Sequence, residues 1–184
     1  MHRQIAFLRA INIGGHVVKM ERLRAIFESL GLKEVETFIA SGNVVFTTKR
    51  GRPEALERKI EATLAKELGY EVKTFVRTNA ELAEIAEYQP FKSGRETPAT
   101  RLFVGFLASE PSGEARGKLL AAAGDADEFH IHVRELYWRC HVPSSESKFS
   151  GALLEKTLGM LTTIRNSNTV KRLVAKYPPA ASEL

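Results

Sequence analysis

The sequence predicts an α+β fold built as a tandem duplication of a ferredoxin-like βαββαβ unit, each copy followed by a helix. Three observations lead there. Apolar residues alternate between strand and helix spacing in the order βαββαβ-α, and that order recurs in the second half. One local stretch is echoed between the halves. The composition is that of a folded chain: 184 residues, of which 43% are hydrophobic and 27% charged.

The elements follow in order. Residues 3–11 are apolar enough for a buried strand, broken by Asn12-Ile13-Gly14-Gly15. Residues 19–30 put Met20, Leu23, Ile26, Phe27 and Leu30 on one helical face, and Gly31 stops the helix. Residues 34–40 and 43–48 read as a hairpin around Ser41-Gly42-Asn43. Pro53 suits the first position of a helix carrying Leu56, Ile60, Leu64 and Leu68 at spacing four. Residues 71–77 make a strand, and Thr78 or Asn79 caps a helix ending near Tyr88.

The second half repeats this order. A strand at 100–108 precedes a helix at 112–123. A hairpin at 126–133 and 136–142 precedes a helix at 147–158. A short strand at 161–165 and a closing helix at 168–177 complete it. The echo is Val76-Arg77-Thr78-Asn79 leading to Leu82, Ile85 and Tyr88, against Ile164-Arg165-Asn166-Ser167-Asn168 leading to Val170, Leu173 and Tyr177. The expected division is 1–88 and 99–184, joined by a linker at 89–98 rich in Pro, Gly and charge. One face of each sheet carries helices. The other must be exposed, paired with its twin or used for binding.

No apolar run approaches the ~20 residues that span a bilayer. The apolar stretch Ile5–Leu8 is cut by Arg9, too short for a secretory signal, so a cytoplasmic protein is expected. A lone cysteine, Cys140, excludes an internal disulfide framework and an all-cysteine zinc site. The net charge of +5 favours anionic partners only mildly.

Five segments carry a family likeness: FLRAINIGG at 7–15, VKMERLRAIFESLG at 18–31, TFIASGNVVF at 37–46, SKFSGALLEKTLG at 147–159 and TIRNSNTVKRL at 163–173. Together they resemble the bacterial DUF1697 proteins, a domain of unknown function, over nearly the whole chain. The family usually has Gly where Ala10 stands, and an aromatic residue where Ser167 stands. The resemblance implies a tandem α/β arrangement and no established activity.

Four places could carry chemistry. Arg9, Asn12, Gly14 and Gly15 with Lys19 form a Gly-rich turn entering a helix, where backbone N–H groups and cations can hold an anion. The spacing is neither that of a P-loop nor that of a dinucleotide fingerprint. Ser41 and Asn43 flank Gly42 at a hairpin tip, which also suits a simple turn. Lys148 with Thr163, Arg165, Asn166 and Asn168 places hydroxyls, amides and cations at a helix start. Arg165 there opposes the helix macrodipole unless an anion compensates.

The last place is the histidine hairpin. With Arg134-Glu135 as its turn, Phe129, Ile131 and Val133 face Leu136, Trp138 and Cys140. The other face then carries His130, His132, Tyr137, Arg139 and His141. It reads as a solvated polar surface rather than a metal site, because three of the histidines cannot close on one ion.

No metal and no cofactor is expected, and no residue stands out as catalytic. G-x-S-x-G, H-E-x-x-H and paired-carboxylate motifs are missing. Whether the protein is an enzyme, and its oligomeric state, stay open. The leading expectation is a binding protein for a small anionic ligand or nucleotide, in a cleft between the two α/β halves. The alternatives are a protein-interaction module, or a nucleic-acid binder using the open sheet face. Nucleic acid is the less expected partner, since no paired aromatic-basic signature occurs. A membrane partner is not expected.

Overall fold

The computed structural model describes residues 2–39, 42–49, 53–92 and 96–180. The chain forms β1 (His2–Leu8), α1 (Met20–Ser29), β2 (Lys33–Thr37), β3 (Asn43–Thr48), α2 (Pro53–Leu68), β4 (Thr74–Thr78) and α3 (Asn79–Glu87). It continues with β5 (Arg101–Leu107), α4 (Gly113–Ala121), β6 (Asp127–His132), β7 (Glu135–Cys140), α5 (Gly151–Leu158), β8 (Thr162–Asn166) and α6 (Ser167–Lys176). The fold is α+β, with two four-stranded antiparallel sheets of order β2-β3-β1-β4 and β6-β7-β5-β8.

Two compact units result, one of residues 1–83 with 176–184, the other of residues 84–175. The chain thus changes unit inside α3 and again at the last residue of α6. No helix among the described residues is long and apolar enough to cross a membrane.

In the first unit, Ala6, Leu8, Val44, Phe46 and Val76 point toward α1 and α2, whose Leu23, Phe27, Ile60 and Leu64 complete a core. The helical spacing of those four residues is why the two segments are helices here: each has one apolar stripe to bury. Ile5, Phe7, Val45, Phe75 and Arg77, on the opposite sheet face, are also buried.

The edge strand β4 is capped by carboxylates. Glu61 accepts from the Thr74 amide at 3.0 Å, Glu57 from Val76 at 2.7 Å and Glu81 from Thr78 at 2.7 Å. Every second N–H of the strand is thereby satisfied without another strand. Thr78 also accepts from the Glu81 amide at 3.1 Å, a reciprocal capping box opening α3.

In the second unit, Leu107, Phe129, Ile131, Leu136, Trp138 and Cys140 pack against Leu119, Leu154 and Leu158 of α4 and α5. The hairpin turn falls at Val133-Arg134, because His132 pairs with Glu135 and Ile131 with Leu136. The expected turn at Arg134-Glu135 is corrected by this register. Val133 takes φ +52° in the turn and is exposed, so it does not face the core. The helix expected at 147–158 begins at Gly151, because the Ser150 hydroxyl accepts from the Leu153 amide and caps it there.

Candidate functional site

The expected site residues divide between the units. Arg9, Asn12, Gly14, Gly15, Lys19 and Asn43 lie in the first; Lys148, Thr163, Arg165, Asn166 and Asn168 lie in the second. Ser41 lies outside the described residues.

In the first unit, the two Gly-containing turns meet. The Leu8 amide donates to the Gly42 carbonyl at 2.8 Å. Gly42 has φ +76°, and a Cβ there would come within 2.9 Å of Ile11 Cγ2, so only glycine fits. Most polar groups of this region hold the turns themselves. Asn12 Oδ1 accepts from the Val18 amide at 2.9 Å, and the Asn43 amide donates to the Phe38 carbonyl at 2.9 Å. Tyr70 donates to the Ile11 carbonyl at 2.8 Å, and His16 stacks on its ring at 3.9 Å. Ala10 takes φ +57°, the region that favours glycine. Gly14 and Gly15 take φ +71° and +86° in an exposed turn, and Lys19 is exposed just before α1.

The second unit holds a cleft of about 1060 Å³, lined entirely by its own residues. Its floor is Leu102 and Val104 of β5 with Tyr137 and Arg139 of β7, side by side on the sheet face away from α4 and α5. One wall is α6 along its length, through Ser167, Asn168, Val170, Lys171, Val174 and Ala175, with Asn166 of β8 just before it. The other is the end of α3 and the segment after it, through Ile85, Tyr88, Pro90 and Phe91. Glu96, Thr97, Thr100 and Arg101 complete the rim.

Two of the expected residues, Asn166 and Asn168, line this cleft. Asn166 Oδ1 accepts from the Asn168 amide at 2.9 Å and so shapes the start of α6. Thr163, Arg165 and Lys148 do not line it. Arg165 is 8% exposed and donates to Thr163 Oγ1 at 2.7 Å and to the Ile164 carbonyl at 2.9 Å. Burial pulls its guanidinium down to about 10, still charged at neutral pH.

The face read from sequence as solvated is covered. Tyr137 is 1% and Arg139 7% exposed. Tyr137 donates to the Ile85 carbonyl at 3.4 Å, and burial raises its hydroxyl strongly. Arg139 donates to Glu128 at 2.5 Å, Glu96 at 3.1 Å and the Lys92 carbonyl at 3.0 Å, and its guanidinium lies 4.6 Å from the centre of the Phe91 ring. One arginine thus fastens the segment after α3 over the sheet. Tyr88 bonds His130 Nε2 at 3.0 Å and stacks on His132 at 4.4 Å. Burial, then the neighbouring His132, lower the pKa of His130, so its ring favours the neutral form. No group of three or more metal-ligating side chains occurs among the described residues.

Arg101, Thr97, Thr100, Phe91 and Lys171 were not singled out in the sequence, and Arg139 was placed there on a face read as solvated. The available signal was the polar face of the hairpin together with Phe91 and Glu96 in the linker, chemistry complementary to an arginine.

The profile described as a protein of unknown function, DUF1697, matches residues 1–137. The chain belongs to this family. No curated protein matches it. Among solved structures, the conserved bacterial protein SP0830 from Streptococcus pneumoniae is similar at a TM-score of 0.74 and 22% identity. The likeness covers 96% of this chain and 98% of that one, and at this identity it shows the fold alone. The DUF1697 assignment names a family without an activity, so a function has to be argued from the residues themselves.

Proposed function

We propose that this DUF1697 protein binds a small organic anion in the cleft of its second unit. The observation that carries the reading is the wall formed by α6. Its N-terminal turn opens on the cleft with no acidic residue in that turn, and with Lys171 one turn further on. The positive end of the helix macrodipole there favours negative charge. Arg101 at the rim adds a cation, while Phe91, Tyr88 and Val104 offer an apolar body for the rest of the ligand.

The finer fold reading is a tandem ferredoxin-like duplication, with halves 1–88 and 99–184 joined by 89–98. Its support is the equal strand order and the equal setting of two arginines. Arg77 pairs with Ile5 and Arg165 with Val104, and each donates to the carbonyl of the residue before it at 2.9 Å. A cytoplasmic location fits a chain whose lone cysteine is buried.

The test is thermal unfolding with inorganic phosphate, adenosine monophosphate and citrate. At least one should raise the melting temperature of the wild type. Lys171→Glu should remove that rise while leaving the unliganded melting temperature nearly unchanged, because Lys171 is exposed. Equal behaviour of wild type and Lys171→Glu with every anion would refute the reading. Single-stranded RNA should bind weakly at physiological salt.

A further inference from the structure

A series of side chains that runs inward from Thr100, at the rim of the same cleft, has an arrangement that binding alone does not require. Oγ1 of Thr100 lies 3.2 Å from Nδ1 of His141. Nε2 of His141 lies 3.0 Å from Oε2 of Glu128, and that same oxygen accepts from Nε of Arg139 at 2.5 Å. The sheet register explains the meeting. Arg101 pairs with Cys140, and Cys140 with Asp127, so residues 100, 141 and 128 fall at one end of three adjacent strands.

For a neutral His141 ring, the hydrogen-bond partners select one tautomer. Burial works to raise the pKa of Glu128, but hydrogen bonds from Arg139 and His141 outweigh it and hold the carboxyl below its ordinary value. An ionised carboxylate only accepts, so Nε2 of His141 carries the proton. Nδ1 then has a lone pair, and the Thr100 hydroxyl donates to it. The Thr97 amide donates to Thr100 Oγ1 at 2.8 Å and orients the oxygen, and the Thr100 O–H lies between His141 Nδ1 and Thr97 Oγ1, each at 3.2 Å. The His141 side chain is 8% exposed, while Thr100 borders the cleft.

We propose that Thr100 and His141, with Glu128 positioning the imidazole, form a nucleophile–base relay for hydrolysis of an ester of a small organic acid. This rests on the cleft being a ligand site. Thr100 Oγ1 forms a bond to the ester carbonyl carbon as its proton passes to Nδ1 of His141. The bond from that carbon to the leaving alcohol oxygen breaks, and His141 returns the proton to that oxygen. Water then attacks the threonyl ester with His141 as base. The acid leaves and the Thr100 hydroxyl is restored. Glu128 stays ionised throughout and pairs with the transient imidazolium.

The probe is p-nitrophenyl acetate, followed by release of p-nitrophenolate and by intact and peptide mass. Wild type should take up one acetyl group on the peptide containing Thr100. Thr100→Val should take up none there, and Thr100→Ser should restore it. His141→Gln should slow turnover by about 100-fold or more. Peptide mapping of the wild type needs no variant to fold, and an acetyl group found only elsewhere overturns the proposal. So does p-nitrophenolate release by Thr100→Val at the wild-type rate. The anion reading fails separately: if none of the three anions raises the melting temperature of the wild type, that reading is lost, whereas the relay is judged by acetylation of Thr100 with this uncharged probe.

Discussion

Arg165 shows how a residue can be recognised and its role still depend on packing. From sequence it stands against the positive end of α6, which suggests a bound anion. In the structure it is 8% exposed, and its guanidinium serves the Thr163 hydroxyl and the Ile164 carbonyl. Arg165→Met should leave those acceptors short of a donor, at a cost of about 1–3 kcal/mol. Relief of burying a charge offsets part of that loss. The expected outcome is a melting temperature several degrees below wild type, with stabilisation by phosphate retained. An unchanged melting temperature with lost stabilisation would return Arg165 to the ligand. Asn166 and Asn168, which line the cleft, could be picked out because a helix start can be read locally. The meeting of Thr100, His141 and Glu128 could not, since they are separated in sequence and come together only through strand register.

Elements were more legible than residues. Every strand and helix appears in the expected order, because period-two and period-3.6 apolar patterns survive in a single sequence. Ends shifted where a side chain decided them, as Ser150 does for α5 and the Val133-Arg134 turn does for β6 and β7. Glu57, a carboxylate on α2, is 5% exposed and caps the edge of β4. A helical period says which residues share a face; it does not say that a neighbouring strand needs an acceptor. Glu57→Ala should destabilise by about 1–3 kcal/mol, since the Val76 amide loses its partner. Glu57→Gln, which keeps an acceptor oxygen, should cost less. Urea unfolding of the two variants checks the order, and equal midpoints would contradict it.

β2 adds a pH dependence. The Tyr177 hydroxyl at 2.6 Å and then the Lys176 ammonium at 2.9 Å hold the Glu36 carboxyl below its ordinary value. A depressed folded pKa contributes stability above the unfolded value, about 4.3, and loses it as pH falls through the folded one. Wild type should therefore lose stability faster than Glu36→Gln as pH drops below about 4.3. The difference should be small because Glu36 is about half exposed. Parallel acid titrations would contradict this.

At the scale of the whole molecule, the two units do not follow chain order. Residues 176–184 belong to the first unit, and residues 84–88 to the second. A tyrosine just past each closing helix makes the equivalent contact. Tyr177 donates to Glu36 of β2, which pairs with Val45 of β3. Tyr88 bonds His130 of β6, which pairs with Tyr137 of β7. Val45 pairs with Ile5, and Tyr137 with Val104, so the two acceptors occupy matching places in the two sheets. The rings are also seated: Tyr177 lies 6.2 Å from Phe38 and Tyr88 lies 4.4 Å from His132, centre to centre. Each tyrosine should therefore protect the strand it touches, although that strand is distant in sequence. Hydrogen exchange separates this from a merely local role. Tyr177→Ala should speed exchange in Lys33–Thr37 and leave Asp127–His132 unchanged. Tyr88→Ala should speed exchange in Asp127–His132 and leave Lys33–Thr37 unchanged. If either variant instead loosens only the helix that precedes its own tyrosine, the tyrosines close their helices and do not brace the sheets.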